Sequence, residues 1–282
     1  MVNVGYHAAR LQAKLMRSLY TKRIAQIVRT PISQTRKVPI AVYAFSCERD
    51  LPEQVASLRS FLRYVGIPNQ FTVISDGSYT DESCDLLRRI HPCVEVIPIE
   101  KLMRTDLPQC LYDYAAQNVI GKKFSGFLSI PIKGVTIYLD SDILFFQGAS
   151  DLLSLANLSN SGSPSALYLP DCAFKGDERL IYDESEKRDP VNCGFTIFNK
   201  TLDWSFALER LSKLKEFNHY FTEQTLVHLT MHHNQAKPLC SKRYVLTVDD
   251  QFIYPDKYAS KEIALRHYVN DVRHKFWLQA NT

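Results

Sequence analysis

Val135-Thr136-Ile137-Tyr138-Leu139-Asp140-Ser141-Asp142 is an apolar, β-branched run that ends in two carboxylates with one residue between them. Such a run reads as a buried strand, and delivering two acids to its end is costly unless a cation or a proton-transfer task offsets their repulsion. Acids at i and i+2, on the irregular backbone just past a strand, reach one hard cation together. Oxygen ligands favour Mg2+ or Mn2+, which keep positions open for substrate phosphates.

Outward from this stretch, strand and helix signals alternate. Ile40 to Phe45, Phe71 to Ile74 and Val94 to Ile97 read as strands. Between the first two lies a helix capped by Asp50, whose Val55, Leu58, Phe61, Leu62 and Val65 share one face up to Gly66; a short helix runs near Asp81 to Ile90. A helical stretch from Leu107 to Leu128, interrupted at Gly121, leads into the Asp140 strand. Downstream, Ala166 to Leu169 and Asn192 to Phe198 read as strands, 203–216 and 221–232 as helices, and Arg243 to Val248 as the last strand.

Strands joined by helices of this length form parallel β-α-β units, whose ligands bind outside the carboxyl ends of the strands. Ser46, Asp76 and the Asp140/Asp142 pair fall at those ends. The expected fold is α/β: a Rossmann-like, mixed but mostly parallel sheet flanked by helices, forming one domain over 38–282 behind a basic arm over 1–37.

The arm carries eight basic residues before Pro39 and no acid, so a chain of net charge +4 has a mildly acidic body. A nucleic-acid-binding body needs its own basic face, which argues against nucleic acid as a partner. Val4, Ala8, Leu11, Leu15, Leu19, Ile24 and Ile27 recur near helical spacing, so the arm reads as a basic amphipathic helix. Its stripe suits packing on the body first and a peripheral anionic-membrane contact through residues 1–30 second. Seven scattered cysteines without a C-x-x-C pair fit a reducing compartment, and no apolar run is long enough to span a bilayer, so the expected setting is cytoplasmic.

Four motifs appear in order: Asp140-Ser141-Asp142, Asn192-Cys193-Gly194, Glu223-Gln224, and His267-Tyr268-Val269-Asn270-Asp271-Val272-Arg273. From about Ile40 to Trp277 the chain resembles the GT-A glycosyltransferases, most nearly the glycogenin and lipopolysaccharide galactosyltransferase group. That group has D-x-D, N-x-G, a D-Q helix start and a terminal H-x-x-G-x-x-K. Here Glu223 stands for the usual Asp, Asn270 for the Gly and Arg273 for the Lys. Asn tolerates a left-handed backbone and Arg keeps a phosphate-binding cation, whereas Glu lengthens a side chain near the sugar.

The resemblance implies that Asp140, Asp142 and His267 hold Mn2+ or Mg2+, and that Arg273 and Lys275 contact the diphosphate. Lys123 becomes a phosphate or sugar contact and Asp76 a contact to base or ribose. Asn192, Glu223 and Gln224 hold the donor sugar and the reacting face. The implied reaction moves a sugar from a nucleotide-sugar donor, a UDP-sugar first, to a glycan, lipid or protein acceptor with retention. The neutral Gln224 amide favours front-side attack over a covalent glycosyl-enzyme. The alternative is a catalytically silent GT-A scaffold that binds carbohydrate or membrane. A haloacid-dehalogenase-type phosphatase carries its D-x-D after the first strand, whereas three expected strands precede Asp140. A nucleotidylyltransferase needs a Gly-rich loop where Ser46-Cys47-Glu48-Arg49-Asp50 stands.

Overall fold

The structure is a computed structural model that describes residues 3–152, 154 and 163–280. The first half alternates as the sequence suggests: α1 (Val4–Ile27), β1 (Lys37–Ser46), α2 (Leu51–Tyr64), β2 (Ile67–Ser75), α3 (Asp81–Arg88) and β3 (Val94–Pro98). Then come α4 (Ile99–Leu102), α5 (Gln109–Gln117), α6 (Val119–Ser129), β4 (Thr136–Asp140) and β5 (Ile143–Phe145). The second half adds β6 (Ala166–Pro170), β7 (Val191–Phe198), α7 (Ser205–Ser212) and α8 (Thr222–His233). Short strands β8 (Lys237–Pro238), β9 (Tyr244–Val245) and β10 (Leu265–His267) precede the final helix α9 (Arg273–Gln279).

The described residues form a seven-stranded sheet in the order β3-β2-β1-β4-β7-β6-β8 and a small sheet in the order β5-β10-β9. In the large sheet β3, β2, β1 and β4 run parallel, and β7 lies antiparallel between β4 and β6. Alternation along each strand divides the core in two. Ile137 and Leu139 of β4 join the cluster containing Leu58, Phe61 and Leu62 of α2. Tyr138, between them, joins the opposite cluster with Tyr114, Phe124, Phe127 and Leu226. Every residue of β7 is buried, as expected for a strand covered on both faces.

The structure departs from the sequence reading at several elements. The long helix breaks at Asn118, not Gly121, because the Asn118 side chain caps α6 by accepting from the Gly121 amide at 2.8 Å. Gly121 sits inside α6, where a Cβ would meet the Tyr114 carbonyl oxygen at 2.3 Å. Asp50 precedes α2 without capping it by a side-chain hydrogen bond. The strand expected over Arg243 to Val248 shrinks to Tyr244–Val245, and β10, unforeseen because three residues carry no readable period, becomes the middle of the small sheet.

The arm packs on the body, but not through the stripe read in the sequence: of that stripe Ile24 is buried and Ile27 half-buried, while Val4, Ala8, Leu11, Leu15 and Leu19 are exposed. Ala9, Ala13, Tyr20 and Ile24 of α1 are buried, and Tyr20 meets Trp277 of α9 with ring centroids 5.1 Å apart. Arg17 donates to both carboxylate oxygens of the buried Glu53 at 2.7 and 3.0 Å, while Trp277 Nε1 donates to the same group at 3.1 Å. No described helix is long and apolar enough to cross a membrane.

Candidate active site

The D-x-D turn lies where the two sheets meet. Asp140 closes β4, Ser141 and Asp142 turn the chain, and β5 then pairs antiparallel with β10 so that Ile143 stands opposite His267. That register sets the ring beside the second acid: His267 Nε2 lies 3.0 Å from Asp142 Oδ1, and the Tyr268 amide donates to the Asp142 carbonyl at 2.9 Å. Ligand atoms of Asp140, Asp142 and His267 all fall within 4.8 Å of one another.

These side chains line a crevice of about 330 Å³, within the size range of small-molecule sites. Asp142 and His267 are buried and Asp140 is partly exposed. Cations surround the acids. Lys123 Nζ, from α6, lies 3.0 Å from Asp140 and 3.4 Å from Glu223, and Arg273, at the start of α9, lies 3.6 Å from Asp142 and 3.3 Å from Asp50. Burial pushes the Asp142 carboxyl up, but His267 and Arg273 outweigh it and hold the group below its ordinary value. Burial lowers the His267 imidazole, and Asp142 more than restores it.

The N-x-G motif has a physical explanation here. β7 runs antiparallel to β4, so its N-terminal end brings Asn192 to the crevice. Asn192 Oδ1 accepts from the Gly194 amide at 2.9 Å and faces His267 Nδ1 at 3.0 Å. With Nδ1–H donated there, Nε2 faces the acids: in the metal-free chain its proton goes to Asp142, and a bound cation would take the Nε2 lone pair in that proton's place, the usual outer support of a metal-ligating histidine. A Cβ on Gly194 would meet His267 Cε1 at 2.2 Å, so only glycine leaves room for the ring.

The opposite wall comes from the first turn of α8. Gln224 Nε2 donates to the Lys175 carbonyl at 3.1 Å and approaches Asp171 Oδ2 at 3.4 Å, which also accepts from Asn192 Nδ2 at 3.1 Å. Asp171, an acid that a loop position makes unremarkable in sequence, thus ties two wall residues together. Glu223 is buried beside Lys123, and burial raises its carboxyl to about 7 against the pull of that ammonium.

Nine of the ten residues singled out in the sequence come together around this crevice: Asp76, Lys123, Asp140, Asp142, Asn192, Glu223, Gln224, His267 and Arg273. Asp76 sits at the end of β2, one carboxylate oxygen already accepting from the Ser78 amide at 2.9 Å. Lys275 goes elsewhere. Two residues along a helix turn the side chain by about 200°, so Lys275 faces away from Arg273 and is fully buried, donating to the Ile253 and Pro255 carbonyls at 2.9 and 2.7 Å. Asp50, read as a helix cap, instead lines the crevice and pairs with Arg273.

The sequence matches no protein-family model and no curated protein. The fold, in contrast, is shared with solved glycosyltransferase structures. The bifunctional glycosyltransferase WbbM superposes with a TM-score of 0.56 and 12% identity over 89% of this chain, which spans 51% of WbbM. Mouse xyloside xylosyltransferase 1 gives 0.55 and 14% identity, covering 84% of this chain and 99% of its own. The galactosyltransferase LgtC, solved with donor and acceptor sugar analogues, gives 0.54 and 12% identity over 86% of this chain and 95% of its own. At these identities the likeness is one of fold, and the fold is GT-A.

Two outcomes follow from the geometry. Gly194→Ala displaces the His267 ring, and a divalent ion such as Mn2+ at the Asp140, Asp142 and His267 cluster would bind about 10- to 100-fold more weakly with the far-UV circular dichroism unchanged; calorimetric titration with Mn2+ measures it, and equal affinity in the two chains would contradict the packing described. Second, the folded chain keeps a proton on Glu223 up to about 7, whereas the ordinary value is 4.5. The native state binds more protons between these limits, so this group's contribution to stability is present below the lower one and lost as pH rises through the window. Glu223→Gln flattens that fall in urea denaturation of the metal-free chain.

Proposed function

We propose that this GT-A chain is a metal-dependent glycosyltransferase that moves a sugar from a nucleoside diphosphate donor, UDP-sugars first, to an acceptor hydroxyl on a glycan, lipid or protein, with retention. The observation that carries the reading is the cluster of Asp140, Asp142 and His267 at the end of a central strand, with Arg273 on one side and the wall of Asn192 and Gln224 on the other.

Two carboxylates and one imidazole, the imidazole held by Asn192 with Nε2 toward the acids, suit Mn2+ or Mg2+. Bound by Asp140, Asp142 and His267, such an ion supplies positive charge to a departing diphosphate. Arg273 adds a permanent charge with a bidentate fork, already balanced by Asp142 and Asp50 so that its own burial is tolerated. At the far end of the crevice Asp76 takes the base or ribose through its second carboxylate oxygen.

Lys123 bridges Asp140 and Glu223 and offers an ammonium N–H as hydrogen-bond donor to a sugar hydroxyl. Glu223, near half-protonation at neutral pH, either donates to or accepts from the sugar; its buried Oε1 has only the Lys123 ammonium beside it, at 3.4 Å and outside good hydrogen-bond geometry, and a sugar hydroxyl completes it. Gln224 is tethered by Asp171 and the Lys175 carbonyl. Its carboxamide is a weak nucleophile, which favours attack by the acceptor on the face the diphosphate leaves.

A screen of nucleotide sugars with the 282-residue chain tests this reading, beginning with UDP-glucose and UDP-galactose. It predicts Mn2+-dependent release of nucleoside diphosphate, slowed about 100-fold or more in Asp142→Asn, with the product anomer read by NMR. Failure of every donor to release diphosphate, or release that ignores Mn2+, overturns it.

A further inference from the structure

The helical wheel of α1 has two apolar stripes, and the body uses only one. Ala9, Ala13, Tyr20 and Ile24 face inward. Val4, Leu11, Leu15 and Leu19 lie on the opposite side of the same helix, 74%, 71%, 59% and 40% exposed. At about 100° per residue these four fall within a narrow arc, and Ala8, also exposed, lies inside it.

The surface continues onto the loop before β10. Phe252 packs against Tyr6 with the rings tilted and centroids 5.4 Å apart, its carbonyl accepts from Asn3 Nδ2 at 2.7 Å, and Tyr254 donates to Gln12. Phe252, Ile253 and Tyr254 are nonetheless 56%, 44% and 45% exposed. Among the described residues, seven of the ten exposed large hydrophobics belong to α1 and this loop. A concentration of that kind marks a docking surface.

Charge identifies the occupant. α1 contains no acid, and its exposed Arg10, Lys14, Lys22 and Arg23 form no ion pair with any described residue. A second copy docking through the same helix would bring two acid-free α1 helices together. We propose that this face docks on an anionic lipid bilayer, with α1 lying in the plane of the headgroups over its length of about 36 Å, Leu11, Leu15 and Leu19 in the acyl boundary, Phe252 and Tyr254 at the interface, and the four cations over lipid phosphates. The proposal is independent of the catalytic reading, because it concerns residues outside the crevice.

Co-sedimentation of the 282-residue chain with vesicles, in the absence of any donor, decides it. The chain pellets with phosphatidylglycerol–phosphatidylcholine vesicles, not with phosphatidylcholine alone, and high salt weakens the binding. Leu11→Ser/Leu15→Ser and Lys14→Glu/Lys22→Glu each weaken it about tenfold or more, Phe252→Ser/Tyr254→Ser weakens it as well, and Tyr182→Ser, an exposed aromatic elsewhere, leaves it unchanged. Equal pelleting of wild type and variants, or no binding to anionic vesicles, overturns the proposal. So does light scattering that shows a dimer dissolved by Leu11→Ser/Leu15→Ser, which assigns the face to a second copy.

Discussion

Two carboxylates at the end of a buried strand repel one another, and the chain offsets that repulsion with cations from separate elements. Lys123 comes from α6, Arg273 from the start of α9 and the His267 imidazole from β10, each within 3.0 to 3.6 Å of an acid. None of these contacts is local in sequence. The acids therefore fix how the second half of the molecule must close onto the first, since an unpaired buried carboxylate would cost several kcal/mol.

The closure is achieved by handing the chain from one sheet to the other. β4 belongs to the large sheet and β5, three residues on, to the small one, so the D-x-D turn is a direct covalent step between them. β10 then presents His267 to the crevice and Arg266, by alternation, to the opposite side. Arg266 is buried there against Asp250 at 2.7 Å and against Asp256, and Lys275 joins Asp250 at 3.6 Å. The same three-residue strand thus carries a site residue on one face and a structural ion cluster on the other. Losing the cluster would free β10, and with it the imidazole.

Much of this was legible from the sequence because it rests on local pattern. The alternation of strands and helices up to Asp140, the inward face of α2 and the position of the D-x-D at a strand end all follow from periodicity and punctuation. Asn192, Glu223, Gln224, His267 and Arg273 were legible only through motif order, which carries no geometry. What escaped was set by tertiary contact. Asp50 has a helix-cap identity but spends its charge on Arg273. Lys275 looks like a second phosphate ligand until α9 is seen to turn it inward. Asp171 is one loop acid among several until Asn192 and Gln224 both reach it. Spacing alone shows one stripe on α1 and cannot say which face turns inward; the structure buries Ala9, Ala13, Tyr20 and Ile24, with Tyr20 against Trp277, and leaves Leu11, Leu15 and Leu19 outside.

The central claim is that Asp140, Asp142 and His267 form, with Arg273, a metal-dependent site for a nucleoside diphosphate. Calorimetric titration of UDP into the wild-type chain with Mn2+, and again with the metal chelated, tests it most directly. The account predicts saturable binding that requires Mn2+ and disappears in Asp142→Asn while the melting transition persists. Binding of equal strength without metal, or no binding under either condition, would contradict it.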